Sequence, residues 1–224
     1  MKIGIIFALE EELKELKKYF KIEKEYNIFN LTFYETHMNN IQIVLVESGI
    51  GKVNAARTTQ ILIDNMKVDY IFNVGVAGGI DRSLKVGDIV IGEKLVQHDF
   101  DVTPFKYIKG EIPNIGAFID SDEYLIQLAE KSINEAKRGI IASGDIFVTE
   151  SWMSDKINKK FNALCVEMEG ASIAQVCYLC HIPFLIIRSI SDVPNNNNVV
   201  TYEEFLESSS KKIAEGMYRI IMSL

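Results

Sequence analysis

Three groups of carboxylates stand where a chain can put them to chemical use. Glu10, Glu11 and Glu12 open a stretch in which Leu9, Leu13, Leu16 and Phe20 recur at helical spacing, so a helix is expected over 9–20. Acidic residues in a first turn favour the helix dipole, which accounts for Glu10 and Glu11, and Glu10 also meets Lys14 four residues on. Glu12 differs: three residues after Leu9 and four before Leu16, it shares their inward stripe. A carboxylate there is costly unless it has a partner or a task. Glu167-Met168-Glu169 follows the apolar run Leu164-Cys165-Val166 and opens a second helical stretch. A carboxylate at the end of a core strand can accept both hydroxyl hydrogens of a ribose diol, although a helix N-terminus favours such residues without any ligand. Ile187-Arg188-Ser189-Ile190-Ser191-Asp192 sets two charges in an apolar strand, and alternation points Arg188, Ile190 and Asp192 to one side. Two readings stand for the third group. One is a structural ion pair bridging sheet and loop; the other is a partly buried Asp192 whose raised pKa lets it donate a proton at neutral pH.

Positioning these groups takes a sheet. A buried strand is expected at 2–7, and 30–37 and 41–47 alternate around Asn39-Asn40 as a hairpin. Ser48-Gly49-Ile50-Gly51 turns into a helix over 52–66, and a buried strand at 69–74 runs into a glycine loop, Gly75-Val76-Ala77-Gly78-Gly79. A strand near 88–97 precedes a long irregular stretch, 98–118, with Phe100, Phe105, Tyr107 and Phe118; loops of that length are usually functional or covered by a partner. A helix over 122–136, a strand at 139–143, a strand at 164–166 leading into a helix over 168–180, a core strand at 184–191, a polar loop at 195–198 and a closing helix over 202–222 complete the chain. Strands alternating with helices, with hairpins mixed in, imply a single α/β domain with a mixed sheet covered by helices on both faces. In such sheets ligands bind beyond the carboxyl ends of the strands.

Composition removes several classes. The 224 residues carry a formal net charge of −7, a poor basis for binding nucleic acid, which needs a clustered basic surface. No apolar run has membrane-spanning length, and the N-terminus lacks the apolar region and cleavage site of a signal peptide, so a cytoplasmic location is expected. Three cysteines argue against a disulfide framework, and Cys177-x-x-Cys180, with only Cys165 and three scattered histidines elsewhere, makes a reduced helix face rather than a zinc site. Ser48-Gly49-Ile50-Gly51-Lys52 lacks Walker spacing, Gly75 to Gly79 lacks a dinucleotide fingerprint, and His37, His98 and His181 sit in unrelated contexts.

The runs MKIGII (1–6), SGIGKV (48–53), VGDIV (86–90), SGD (143–145), VEME (166–169) and ISDV (190–193), with His98-Asp99 and Val102-Thr103 between them, follow one another over the whole chain. In these motifs and their order the sequence resembles the bacterial 5'-methylthioadenosine/S-adenosylhomocysteine nucleosidases of the nucleoside phosphorylase superfamily. The resemblance implies one nucleoside phosphorylase-like domain over 1–224 with a strongly curved mixed sheet, a homodimer, and no metal or organic cofactor. It implies Glu12 as the base that activates water and Asp192 as the acid that protonates adenine N7. Glu169 would bind the ribose 2'- and 3'-hydroxyls with Met168 beneath the ring and Glu167 alongside. Phe147 would stack on adenine, the Val148 backbone would bond its edge, and Val76, Ala77 and Gly78 would also contact the substrate. Ile50 and Tyr202 would line the 5' pocket, Val102 and Phe105 would enter it from the partner subunit, and Arg188 would order the region around Glu12 and the water.

Two positions depart from the family pattern. Val76 stands where these nucleosidases usually have Ser, which removes one hydrogen bond, worth about 0.5–1.5 kcal/mol. Tyr202 stands in place of the commoner Phe and adds a hydroxyl at the rim of the 5' pocket. The competing readings are a purine nucleoside phosphorylase on the same fold, a nucleosidase whose main substrate is 5'-deoxyadenosine or aminodeoxyfutalosine, and a catalytically silent nucleoside binder. Phosphorolysis fits poorly, because phosphate wants cationic donors and this chain offers Glu12, Asn73 and Val76 at the corresponding places.

Overall fold

The computed structural model describes residues 1–193 and 198–224, the side chains of 198–201 excepted. The polar loop expected over 195–198 falls, but for Asn198, outside the described residues.

The chain folds as an α/β protein around one ten-stranded mixed sheet. β1 (Lys2–Phe7) lies between β4 (Ile41–Glu47) and β5 (Tyr70–Gly79), parallel to both. β3 (Leu31–Met38) and β2 (Lys24–Ile28) continue from β4 as antiparallel strands, with the expected hairpin turning at Asn39, whose φ is 54°. On the other side β5 pairs with β10 (Phe184–Asp192), β10 with β6 (Ile89–Gln97), β6 with β8 (Lys137–Ser143), and β8 with β9 (Ala163–Glu167). β9 returns to the far end of β5, so these five strands close on themselves. The short β7 (Ile119–Asp120) adds to β6. The strong curvature implied by the family resemblance is therefore carried to closure, which removes an exposed edge.

Helices cover both faces. Leu13 and Leu16 of α1 (Glu10–Lys17), Leu125 and Ala129 of α3 (Glu123–Ser132), and Ile213, Met217 and Ile220 of α6 (Asn198–Ser223) pack with Ile5, Phe72 and Ile187. Ala55 of α2 (Lys52–Ile61) and Ala171, Ala174 and Cys177 of α5 (Gly170–Cys180) pack with Ile6, Ile71 and Ile186 on the opposite face. Cys177 is thus a core side chain. α4 (Ser151–Phe161) places Ile157 and Phe161 against Val96, Ala142 and Val166.

Several expectations are corrected. The glycine stretch 75–79 is not a loop but the second half of β5, because β10 pairs along it as far as Gly78 and β9 pairs with its end at Gly78 and Gly79. The helix expected over 9–20 ends at Lys17, and that over 52–66 finishes in a π-helical turn, Leu62–Met66. The helix expected over 168–180 starts at Gly170, with Glu169 as its N-cap. α4, β2 and the short β7 are additional. Along β10 the register skips a residue between Ile190 and Asp192, which pair with Ala77 and Gly78. This bulge moves Asp192 off the side shared by Arg188 and Ile190, so strict alternation fails where the strand ends.

Candidate active site

The site forms where β5 changes partners. Along one edge of β5, β1 pairs with Tyr70 to Asn73 and β9 with Gly78 and Gly79, leaving 74–77 between them. β1 and β9 run in opposite directions, so their carboxyl ends face each other across that gap. A cleft opens there, with room of about 100 Å³. Its walls are the residues just past each strand: Ala8, Leu9 and Glu12 after β1, Ile50 after β4, Ile146 to Val148 after β8, and Met168 and Glu169 after β9. Val76, Ala77 and Gly78 of β5, Val166 and Glu167 of β9 and Ser191 and Asp192 of β10 form the floor, and Tyr202 comes from α6.

Four carboxylates, Glu12, Glu167, Glu169 and Asp192, line this cleft, and all four are buried. Glu12 reaches back to the N–H groups of Ala8 and Leu9, at 3.0 and 3.1 Å, as the first-turn half of a capping box. Its other oxygen accepts the N–H of Val76 at 2.9 Å, within the stretch of β5 that has no strand beside it on that edge. A Cβ on residue 75 would sit 2.7 Å from this oxygen, so Gly75 is what lets the carboxylate close on the sheet. Burial pushes the Glu12 carboxyl up, more than Arg188 and the three N–H donors pull it down.

The pair flanking Met168 divides its work. Glu167 is saturated: it accepts the N–H groups of Glu169 and Gly170 at 3.1 and 2.7 Å, the Ser143 hydroxyl and the Arg188 guanidinium. Arg188 also donates to Asn73 and lies beneath the cleft rather than on its surface. The salt bridge of Arg188 is thus with Glu167, an ion pair inside the sheet. Among the described residues Glu169 accepts one donor, Gly51 N–H at 2.8 Å, and turns toward the cleft. Burial, and then Glu167 beside it, push its carboxyl up to about 7. Asp192 accepts the Ser191 hydroxyl at 2.9 Å.

Residues 2–221 match the phosphorylase superfamily. A 5'-methylthioadenosine/S-adenosylhomocysteine nucleosidase from a Geobacillus species is 40% identical over 100% of this chain and 99% of its own length. The chain belongs to this nucleosidase family. The nucleosidase of S. pneumoniae, solved with a transition-state inhibitor, superposes with a TM-score of 0.96 at 35% identity, covering 100% of this chain and 99% of that one. A mutant futalosine hydrolase of Helicobacter pylori superposes equally well, with a TM-score of 0.97 at 34% identity and full coverage of both chains.

In this member of the nucleosidase family the cleft brings together Glu12, Ile50, Val76, Ala77, Gly78, Phe147, Val148, Glu167, Met168, Glu169, Asp192 and Tyr202, all singled out in the sequence. Phe147 and Tyr202 meet edge to face, ring centres 5.6 Å apart, at the mouth. Burial, then Glu12 and other carboxylates around the cleft, push the Tyr202 phenol up to about 12, so it stays a neutral donor. Val102 and Phe105 do not line the cleft of their own chain, and Phe105 is 76% exposed. Sequence reasoning missed Ala8, Leu9, Ile146, Val166 and Ser191 as lining residues; Ile146, Val166 and Ser191 each directly precede a residue that it had picked, and Ala8 and Leu9 lie about one turn before Glu12.

Proposed function

We propose that the protein hydrolyses the N-glycosidic bond of 5'-methylthioadenosine and S-adenosylhomocysteine, and of 5'-deoxyadenosine, releasing adenine and the 5-substituted ribose. One observation carries this: among the described residues four carboxylates and no Lys, Arg or His line the cleft. Breaking an N-riboside bond builds positive charge on the sugar, which carboxylates stabilise, while they repel a phosphate dianion. Arg188, the nearest cation below, is engaged by Glu167 and Asn73. Water is the nucleophile such a site admits.

In this reading Glu12 takes a proton from the water that attacks C1'. The bond to N9 breaks, its electron pair leaves with adenine, and Asp192 delivers a proton to N7. A raised Glu12 carboxyl suits a base that must hold that proton. Each of these proton transfers contributes on the order of 10²–10⁴-fold. Glu169 holds the ribose hydroxyls above Met168, and Phe147 and Val148 hold adenine. Ile50 and Tyr202 flank the 5' group. The protein acts as a cytoplasmic homodimer in methionine salvage and by-product recycling, Val102 and Phe105 completing the neighbour's 5' pocket. Large apolar side chains left exposed, among them Val53, Phe105, Ile108 and Leu179, support a covering partner.

The likeness to futalosine hydrolase favours a second reading, in which a bulkier 5' substituent is the main substrate. Adenine release from methylthioadenosine, S-adenosylhomocysteine, 5'-deoxyadenosine and aminodeoxyfutalosine, compared as kcat/KM, separates the two. The thio-substituted substrates lead if the first reading holds; a kcat/KM for aminodeoxyfutalosine well above both would replace it.

A further inference from the structure

The seam that opens the cleft has to be tied by something other than strand pairing. The residues after β4 provide the tie. Gly51 N–H donates to Glu169 across the seam. Next to it, Lys52 N–H donates to Asp145 Oδ1 at 2.8 Å, and the Lys52 ammonium to Asp99 Oδ1 at 2.7 Å and to Gln97 Oε1 at 3.0 Å. The other oxygen of Asp99 accepts Asp145 N–H at 3.0 Å. Lys52, Asp99 and Asp145 thereby close a ring of hydrogen bonds joining the segments after β4, β6 and β8. The side chains of Lys52 and Asp99 are only 17% and 18% exposed, so this is not a loose surface pair. The ring fixes both neighbours in the chain: Gly51, held at φ 98° where an added Cβ would lie 3.2 Å from Asp145 Oδ1, and Ile146 to Val148, which wall the cleft. None of the three ring residues lines the cleft.

We propose that Lys52, anchored by Asp99 and Asp145, is a positioning residue for substrate binding: it sets the distance between the Glu169 carboxylate and the 146–148 wall, and so the fit of a ribose joined to adenine. This rests on reading Glu169 as the carboxylate that holds the ribose hydroxyls. Without the ammonium, the β4 segment loses its charged anchor and Gly51 N–H no longer pins Glu169 in one place. The loss then falls on contacts between Glu169 and the ribose, and not on the fold.

Steady-state adenine release by wild type, Lys52→Met and Asp99→Asn, with methylthioadenosine and with its 2'-deoxy analogue, tests this. On methylthioadenosine each variant is expected to lose about tenfold or more in kcat/KM, mostly through KM, because small misplacement of a positioning group is costly. On the 2'-deoxy analogue the loss shrinks to about twofold, since a hydroxyl that Glu169 grips is missing. Asp99→Asn keeps the size of the side chain and decides the matter if Lys52→Met does not fold. A kcat/KM within twofold of wild type on methylthioadenosine, or an equal loss on both substrates, overturns the proposal. A wild type that releases no adenine from either substrate overturns the functional reading, and the proposal with it.

Discussion

At the scale of single residues, Glu12 and Glu169 are both carboxylates whose surroundings favour the neutral form, while the hydrogen bonds that fix them favour the charged one. Glu169 titrates near 4.5 in an unfolded chain and at about 7 in the folded protein. The folded state therefore holds this proton more tightly. The resulting cost to stability is absent below about 4.5, grows as pH rises, and is complete above about 7, with a ceiling of roughly 3 kcal/mol. Glu169→Gln removes that cost. In thermal melts of the unliganded protein, the gain of Glu169→Gln over wild type is expected to increase through this window and then level off; a gain independent of pH would contradict the assignment. Asp192→Asn is expected to cut adenine release at least about 10²-fold with an unchanged melting temperature, and retention of a tenth of the activity would remove Asp192 as the acid. Glu12 was legible in the sequence because a carboxylate on an apolar helical stripe is anomalous. Asp192 was legible as a charge at a strand end, but its direction was not. The bulge at Ser191 arises from pairing with Gly78, which no local pattern encodes.

At the scale of elements, two strands meeting end to end on β5 make the site. Periodicity located β1, β5 and β10 but read residues 75–79 as a loop, since glycines look alike in a turn and in a strand that must let carboxylates approach. α4 escaped notice although Met153, Ile157 and Phe161 recur at fours, because apart from Trp152 only Ser, Asp, Asn and Lys fill the rest of it. The division of labour between Glu167 and Glu169 was also hidden. It depends on Arg188 from β10 and Ser143 from β8, which only the folded sheet brings to Glu167. Burying that ion pair inside the sheet makes it sensitive to the loss of one member. Arg188→Met strands the Glu167 carboxylate and is expected to cost ~3–5 kcal/mol in denaturant unfolding. Adding Glu167→Gln is expected to recover much of this; a double variant as unstable as the sum of the single ones would show that the pair is not coupled.

At the scale of the molecule, the closed strands and helices on both faces account for the floor, while the proposed dimer leaves one wall of the 5' end to the partner's segment 98–118. Its length and aromatic content marked it in the sequence, and in the structure it remains largely irregular, with a single helical turn at Thr103–Phe105. Light scattering at micromolar concentration is expected to report a dimer, and Phe105→Ala to raise KM for methylthioadenosine; a fully active monomer would refute the shared pocket. The acidic cleft makes the central claim, that water and not phosphate is the nucleophile, open to one direct measurement. Adenine release from methylthioadenosine is followed in phosphate-free buffer and again with phosphate added, and the sugar product is identified. Equal rates and free 5-methylthioribose are expected in both; release that requires phosphate and yields a sugar 1-phosphate would make phosphate the nucleophile.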